Sequence, residues 1–308
     1  MSMIESAIRF VYLSLSIASV YILVAIGFSI AYGSLKFVNM AHGALYLLGA
    51  YIGLFIAFEP TVGGTLGNYS PIGLALGFTA AIVLVPIILF GIGVVMERLI
   101  AKPFYERDML DQLLVTFGIL IIIQELVAVL VGRGGLSYAR PDWATGAVSV
   151  SGIVSASRWR LIVIALTALF LILLYAFYKY TDFGLAVRAG TEDAEMVEML
   201  GIKISRPFAL IFAIGAGYAG LAGILGGSIF TVQPEIGLDI LIPALLVVVM
   251  GGVGSITGTI LAGLLVGATF TATASVYPEM ATASIFLLAI IVLSIKPSGL
   301  FGTDEVVA

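Results

Sequence analysis

The chain has 308 residues, of which 61% are hydrophobic and only 10% charged, and its mean hydropathy is +1.19. Fourteen Lys and Arg with eighteen Asp and Glu cannot cover the water-facing surface of a globule this size, because ordinary soluble chains are about 25% charged. A soluble fold is excluded, and a net charge of −4 excludes a nucleic-acid footprint. With no Cys and a single histidine, His42, the chain has no means of forming disulfides, thiolate sites or a multi-histidine metal or haem centre of its own.

The apolar residues, about 188 of them, would fill roughly nine spans of about 20 residues. The first run, 10–32, is too long for a signal segment and lacks a small-residue cleavage site, so it is expected to stay as a span. Residues Ala31 to Gly43 then interrupt an otherwise apolar stretch with Lys36, Asn39 and His42. Gly33 and Gly43 bracket these polar groups, which suits one broken helix of the kind that lines transport paths; an ordinary loop at the membrane interface would also fit. Runs 43–58 and 72–96 follow, and connector 97–112 carries Arg98, Lys102 and Arg107.

The run 113–131 holds Thr116, Gln124 and Glu125, with Thr116 and Gln124 on nearly the same helix face. An ionisable group inside a span is a functional candidate, although Glu125 could also sit at the interface or pair with an Arg of the following loop. That loop, 132–158, is polar and rich in Gly and Ser. After the run 159–178, connector 179–207 is the most informative soluble stretch. Thr191 is placed to cap a two-turn helix with Met196, Met199 and Leu200 on one side and Glu192, Glu195 and Glu198 on another, ended by Gly201. Such a short helix is unstable alone, and its apolar edge suits docking of a partner.

The later runs are 208–227, 240–250, 256–275 and 283–295, giving eight or nine spans in all. Small residues recur every four positions at Gly215, Ala219, Gly223 and Gly227, and again at Ser255, Thr259, Gly263 and Gly267; such stripes let helices approach closely. Gly251 to Gly258 is glycine-rich, but no lysine of the chain follows a glycine, so it is a turn and not a phosphate loop. Nine of the fourteen basic residues fall on one side of this topology, which makes that side cytoplasmic and puts the N-terminus outside.

Taken together, these segments resemble an ABC-importer permease of the branched-chain amino acid family, the LivH type, from about Tyr21 to Gly302. Asn39-Met-Ala-His-Gly43 resembles its first-helix break, and Thr116-Phe-Gly with Gln124 resembles its fourth span. Glu195-Met-Val-x-x-x-Gly201 resembles the E-A-A-x-x-x-G loop of ABC permeases, with Met-Val in place of Ala-Ala. Gly251 to Ser255 and Lys296-Pro-Ser-Gly-Leu-Phe-Gly302 resemble later signatures. Glu125 departs from the Asn common in the family.

The resemblance implies an all-α polytopic membrane protein in which residues 1–308 form one permease domain, with a coupling loop at about 182–206. It implies a multi-pass subunit of the cell (inner or plasma) membrane with a cytoplasmic C-terminus. Its partners would be a second related permease, two cytoplasmic ATPase subunits and an extracytoplasmic substrate-binding protein. The chain itself would be no enzyme and bind no cofactor, with ATP held by the partner subunits and amino acids or related small polar solutes as cargo. Asn39, His42, Thr116, Gln124 and Glu125 would line or border the path. Arg188, Thr191, Glu195, Met196, Val197, Leu200 and Gly201 would couple it to the ATPases. The competing expectation is a self-sufficient secondary transporter or channel with Glu125 as its ion-coupling site.

Overall fold

A computed structural model describes residues 3–150 and 154–302. The described residues form eleven α-helices: α1 (Met3–Leu35), α2 (His42–Ala57), α3 (Phe78–Met96), α4 (Met109–Val131), α5 (Arg158–Tyr180), α6 (Asp182–Glu192), α7 (Ala194–Met199), α8 (Ser205–Gly226), α9 (Ile236–Gly251), α10 (Ile256–Val276) and α11 (Ala281–Ile295). Seven of the helical stretches are long and apolar enough to cross a bilayer, and the two 16-residue helices α2 and α9 are shorter and equally apolar. The nine apolar runs of the sequence are thus nine apolar helices, two of which begin inside the bundle.

The connectors 97–108 and 181–204 lie at one end of the bundle with the 296–302 tail, called here the connector end; the sequence assigns it to the cytoplasm. The expected cytoplasmic C-terminus, 303–308, lies outside the described residues, but Leu300 and Phe301 donate backbone hydrogen bonds to Met250 and Gly251 carbonyls at that end. The opposite, hairpin end is capped by residues 132–150 and 154–157. Composition marks that segment only as polar, yet it folds back with two short antiparallel strands, β1 (Ala147–Val150) and β2 (Val154–Ser157). Its Tyr138 is driven into the bundle between Phe58 and Phe78, donating its hydroxyl to the Ala50 carbonyl. Trp159 is 1% exposed against Phe78 at 4.7 Å.

Two long helices, α1 and α8, form the buried axis of the molecule. They cross at glycines: a Cβ on Gly27 would lie 2.7 Å from the Gly215 carbonyl oxygen, and one on Gly215 would lie 2.6 Å from that of Gly27. Val20 meets Gly226 on one side of this crossing, so the two helices run antiparallel. The pattern repeats beyond them. Helix α1 packs along α10 as α8 packs along α3, and α2 and α9 follow α1 and α8 after a break in each case.

The second residues of α2 and α9 also meet. A Cβ on Gly43 would lie 2.5 Å from the Gly237 carbonyl oxygen and 3.0 Å from Leu241, and one on Gly237 would lie 2.8 Å from the Gly43 oxygen and 3.3 Å from Leu47. These reciprocal contacts relate α1–α3 to α8–α10 as an inverted repeat, with both crossings on the pseudo-twofold. Transporters place their sites at such repeat interfaces near mid-membrane. The predicted small-residue stripes do the packing, with Gly223 on α2, and Gly263 and Gly267 on α1.

Candidate functional site at the broken helices

After α1 ends, residues 36–41 do not stay at the connector end. Lys36 takes a left-handed conformation (φ 50°), and the chain climbs back into the bundle until His42 opens α2 beside Val24, eleven residues before the end of α1. At 1.5 Å per residue that is a climb of about 16 Å. Non-helical backbone at this depth must find partners within the protein, and α4 supplies them. Val38 N–H donates to Gln112 Oε1 (3.1 Å) and Met40 N–H to Thr116 Oγ1 (3.0 Å). The Gln112 amide donates in turn to the carbonyls of Phe104 and Arg107, each at 3.1 Å. Phe37 is 2% exposed and meets Tyr105 edge-on at 5.7 Å. Burial next to Glu97, whose Oε1 accepts from the Tyr105 hydroxyl at 3.0 Å, raises the Tyr105 pKa far above that of a free phenol.

The break expected at Ala31–Gly43 is therefore present, and it turns His42 back into the bundle instead of forming a loop at the membrane interface. His42 is buried in the bundle, with Nε2 3.1 Å from the Val24 carbonyl and its ring edge-on to Phe28. Asn39, His42 and Thr116 are brought together, the His42 N–H donating to the Asn39 carbonyl. Thr116 spends its hydroxyl on the broken backbone and on the Gln112 carbonyl at 2.7 Å.

Gln124 lies two turns further along the same buried stripe of α4, beyond Leu120, which packs against Ala44 of α2 and Leu241 of α9. Neither Asn39 Oδ1 nor Gln124 Oε1 has a protein partner among the described residues, although both are buried. Glu125 faces away from this group. It pairs with Arg133 of the following loop (2.5 Å), which also holds Glu235, the residue just before α9, at 2.8 Å. Arg133 thus ties the hairpin end of α4 to the start of α9 and balances the charge that a lone ion-coupling carboxylate would need.

The connector end departs from expectation in detail. A helix absent from the sequence reading, α6, precedes the short one, and Thr191 belongs to its last turn, donating to the Val187 carbonyl at 2.8 Å. The cap of α7 is Asp193, whose Oδ1 accepts from Met196 N–H at 2.9 Å. Gly201 ends the segment as predicted, at φ 81°, with Ile202 N–H reaching back to Val197 and Gly201 N–H to Glu198, a closure in which glycine carries no Cβ penalty. Met196, Met199 and Leu200 are 52%, 70% and 73% exposed, whereas Val197 is buried and anchors the helix from beneath. Arg188 donates to the Tyr178 and Lys179 carbonyls at the end of α5, where a cation is favoured by the helix dipole. It therefore positions α6 against the end of α5.

Gln112, at the end of connector 97–112, proves central to the break. Gln112 could have been found by spacing, since 112, 116, 120 and 124 share one helix face. Asp239 falls just before the apolar run 240–250. That run is too short to span, and the helix in fact begins at Ile236.

The family model for the branched-chain amino acid transport system / permease component matches residues 11–295. Over 296 residues the chain is 32% identical to the high-affinity branched-chain amino acid transport system permease protein LivH of Salmonella typhimurium, covering 94% of each. It is 33% identical over 300 residues to the corresponding protein BraD of Pseudomonas aeruginosa, covering 95% of this chain and 94% of the relative. A probable LivH permease of Methanocaldococcus jannaschii is 23% identical over 252 residues, covering 81% of this chain and 76% of the relative. No solved structure matches it significantly. Nine apolar helices, an inverted repeat with two broken helices, and likeness along nearly the whole length leave one conclusion: the chain belongs to the permease-component family of branched-chain amino acid transport systems, the membrane subunits of ABC importers.

Proposed function

We propose that this permease carries branched-chain or related small amino acids, together with a second related permease subunit, with two ATPase subunits docked at α6–α7 and a binding protein at the hairpin end. The likeness to LivH and BraD supports the cargo and the partners. The observation that carries the path is the pair of buried amide oxygens left without protein partners among the described residues, Asn39 Oδ1 on the break before α2 and Gln124 Oε1 on the α4 stripe that packs against α2 and α9. Buried polar groups are ordinarily hydrogen-bonded, so these two are available to a polar solute in transit. His42 and Thr116 border that route, Thr116 by holding the broken backbone, while Glu125, on the other side of α4, acts only at the hairpin end through its ion pair with Arg133. Glu195, Met196 and Leu200 form the docking edge, with Val197, Thr191, Arg188 and Gly201 shaping it, and the connector end with the C-terminus faces the cytoplasm.

Without a Gly-Lys-[Ser/Thr] loop of its own, the chain leaves ATP binding to its partners. The test is leucine uptake into proteoliposomes containing the complex copurified with this chain. Uptake should require ATP, the ATPases and the binding protein, and the isolated chain should hydrolyse no ATP. Gln124→Leu should lower uptake about tenfold or more, by leaving the solute without a hydrogen-bonding partner, at unchanged complex yield. ATP-independent leucine uptake by the isolated chain would overturn the proposal.

A further inference from the structure

The two halves of the inverted repeat are not filled alike. In the first half the space around the break is closed by Phe37, Gln112 and Thr116. In the second half the space around the break before α9 is a cavity of about 650 Å³ between α1, α9, α10 and α11, a size typical of small-molecule sites. Four aromatic rings border it: Tyr21, Phe230, Phe270 and Phe286. Tyr21 lies 6.1 Å from the Phe230 ring and 6.5 Å from the Phe270 ring. The single charged lining group is Asp239, in the first turn of α9, with the Gln233 side chain in hydrogen-bonding reach.

Three features of Asp239 are unusual together. The cavity it lines also takes in Tyr21, which lies roughly 20–27 Å from either end of α1 by helix rise, so the site reaches the middle of the bundle. Asp239 is exposed on the surface of the subunit at this depth, and a carboxylate there must meet water or protein and not lipid tails. Among the described residues no cation pairs with it; the neighbouring acid, Glu235, is already held by Arg133 at 2.8 Å. An unpaired carboxylate with aromatic rings around it is the chemistry that binds an alkylammonium group, by charge and by attraction of the cation to ring faces. Ile240, Ile242 and Pro243 line the same cavity and offer an apolar wall for an aliphatic side chain.

We infer that this cavity is a way-station for the ammonium group of the transported solute, with Asp239 as its counter-ion. The inference rests on the amino-acid cargo proposed above and adds the residue that selects the amine.

The natural absence of Cys gives a direct test in the full complex. Thr282→Cys places one thiol of this chain at the cavity, to be labelled with a cationic (trimethylammonium) or an anionic (sulfonate) methanethiosulfonate reagent and detected on this subunit by mass spectrometry. Normalised to a free thiol, the cationic reagent should react about tenfold faster, and Asp239→Asn should bring the ratio towards one, as expected where a charge concentrates counter-ions. Leucine and 3-methylbutylamine should slow the labelling, and 4-methylpentanoate, which lacks the amine, should not. Leucine uptake should fall tenfold or more with Asp239→Asn and recover in large part with Asp239→Glu.

Failure of either reagent to reach the thiol, a ratio insensitive to Asp239→Asn, equal protection by 4-methylpentanoate, or normal uptake by Asp239→Asn would each overturn the assignment. If the wild-type complex moves no leucine while the cationic preference and protection by 3-methylbutylamine hold, the cargo proposal fails and the amine site stands.

Discussion

Thr116→Val isolates one hydrogen bond with almost no change of shape. The substitution removes the acceptor for Met40 N–H, 3.0 Å away, in a stretch of backbone that has no helical partner to fall back on. Leaving a buried donor unmet costs about 1–3 kcal/mol, whereas side-chain hydrogen bonds between membrane helices average nearer 0.6 kcal/mol because the opened state finds other partners. Thr116 is 1% exposed and packed against the same segment, but Met40 is only part-buried, so the lower part of the larger range applies, about 1–2 kcal/mol. Since about 1.4 kcal/mol is a factor of ten, the Met40 amide should exchange its hydrogen roughly 5- to 30-fold faster in the purified protein, with protection of the α8 core unchanged. Thr116→Ser keeps the hydroxyl and should preserve the native rate. Unaltered exchange at Met40 in Thr116→Val would show that the broken segment is held by something other than α4, and the account of residues 36–41 would fail.

Gly27→Ala drives a methyl group to 2.7 Å from the Gly215 carbonyl oxygen and should cost about 1–3 kcal/mol as overpacking, seen as a lower melting temperature in detergent; an unchanged melting temperature would argue against the crossing. Met196→Asp alters a side chain that is 52% exposed, so yield and melting should hold while ATP-driven uptake is lost, and normal uptake would leave α7 as a mere connector. Tyr138→Phe should cost about 1 kcal/mol for the lost bond to Ala50 and Tyr138→Ala about 3–5 kcal/mol, measured by thermal unfolding; equal effects would mean the ring does not anchor the hairpin end.

The apolar runs disclosed nearly every membrane helix, because hydrophobic burial acts on stretches long enough to average over local detail. Edges were less legible. Hydropathy cut α4 short of Gln112 and α9 short of Asp239, since each is a polar residue in the first turn of an apolar helix, where sequence alone does not distinguish loop from helix. Helix α6 carries two glycines, Gly184 and Gly190, which lower its helix propensity but serve close packing on the end of α5 and on Ile204. The depth of His42 was invisible for another reason: a chain that leaves the membrane and one that turns back into it have the same local composition, and only the contact with Val24 separates them.

The two glycine crossings have a mechanical consequence. Where backbone lies on backbone there is no side chain to flex, so the contacts at Gly27–Gly215 and Gly43–Gly237 act as a stiff fulcrum at mid-height. If α6–α7 is the docking edge proposed above, a push delivered there would tilt the helices about that fulcrum and swing the hairpin end in the opposite sense. Closing one mouth of the subunit would then open the other by geometry.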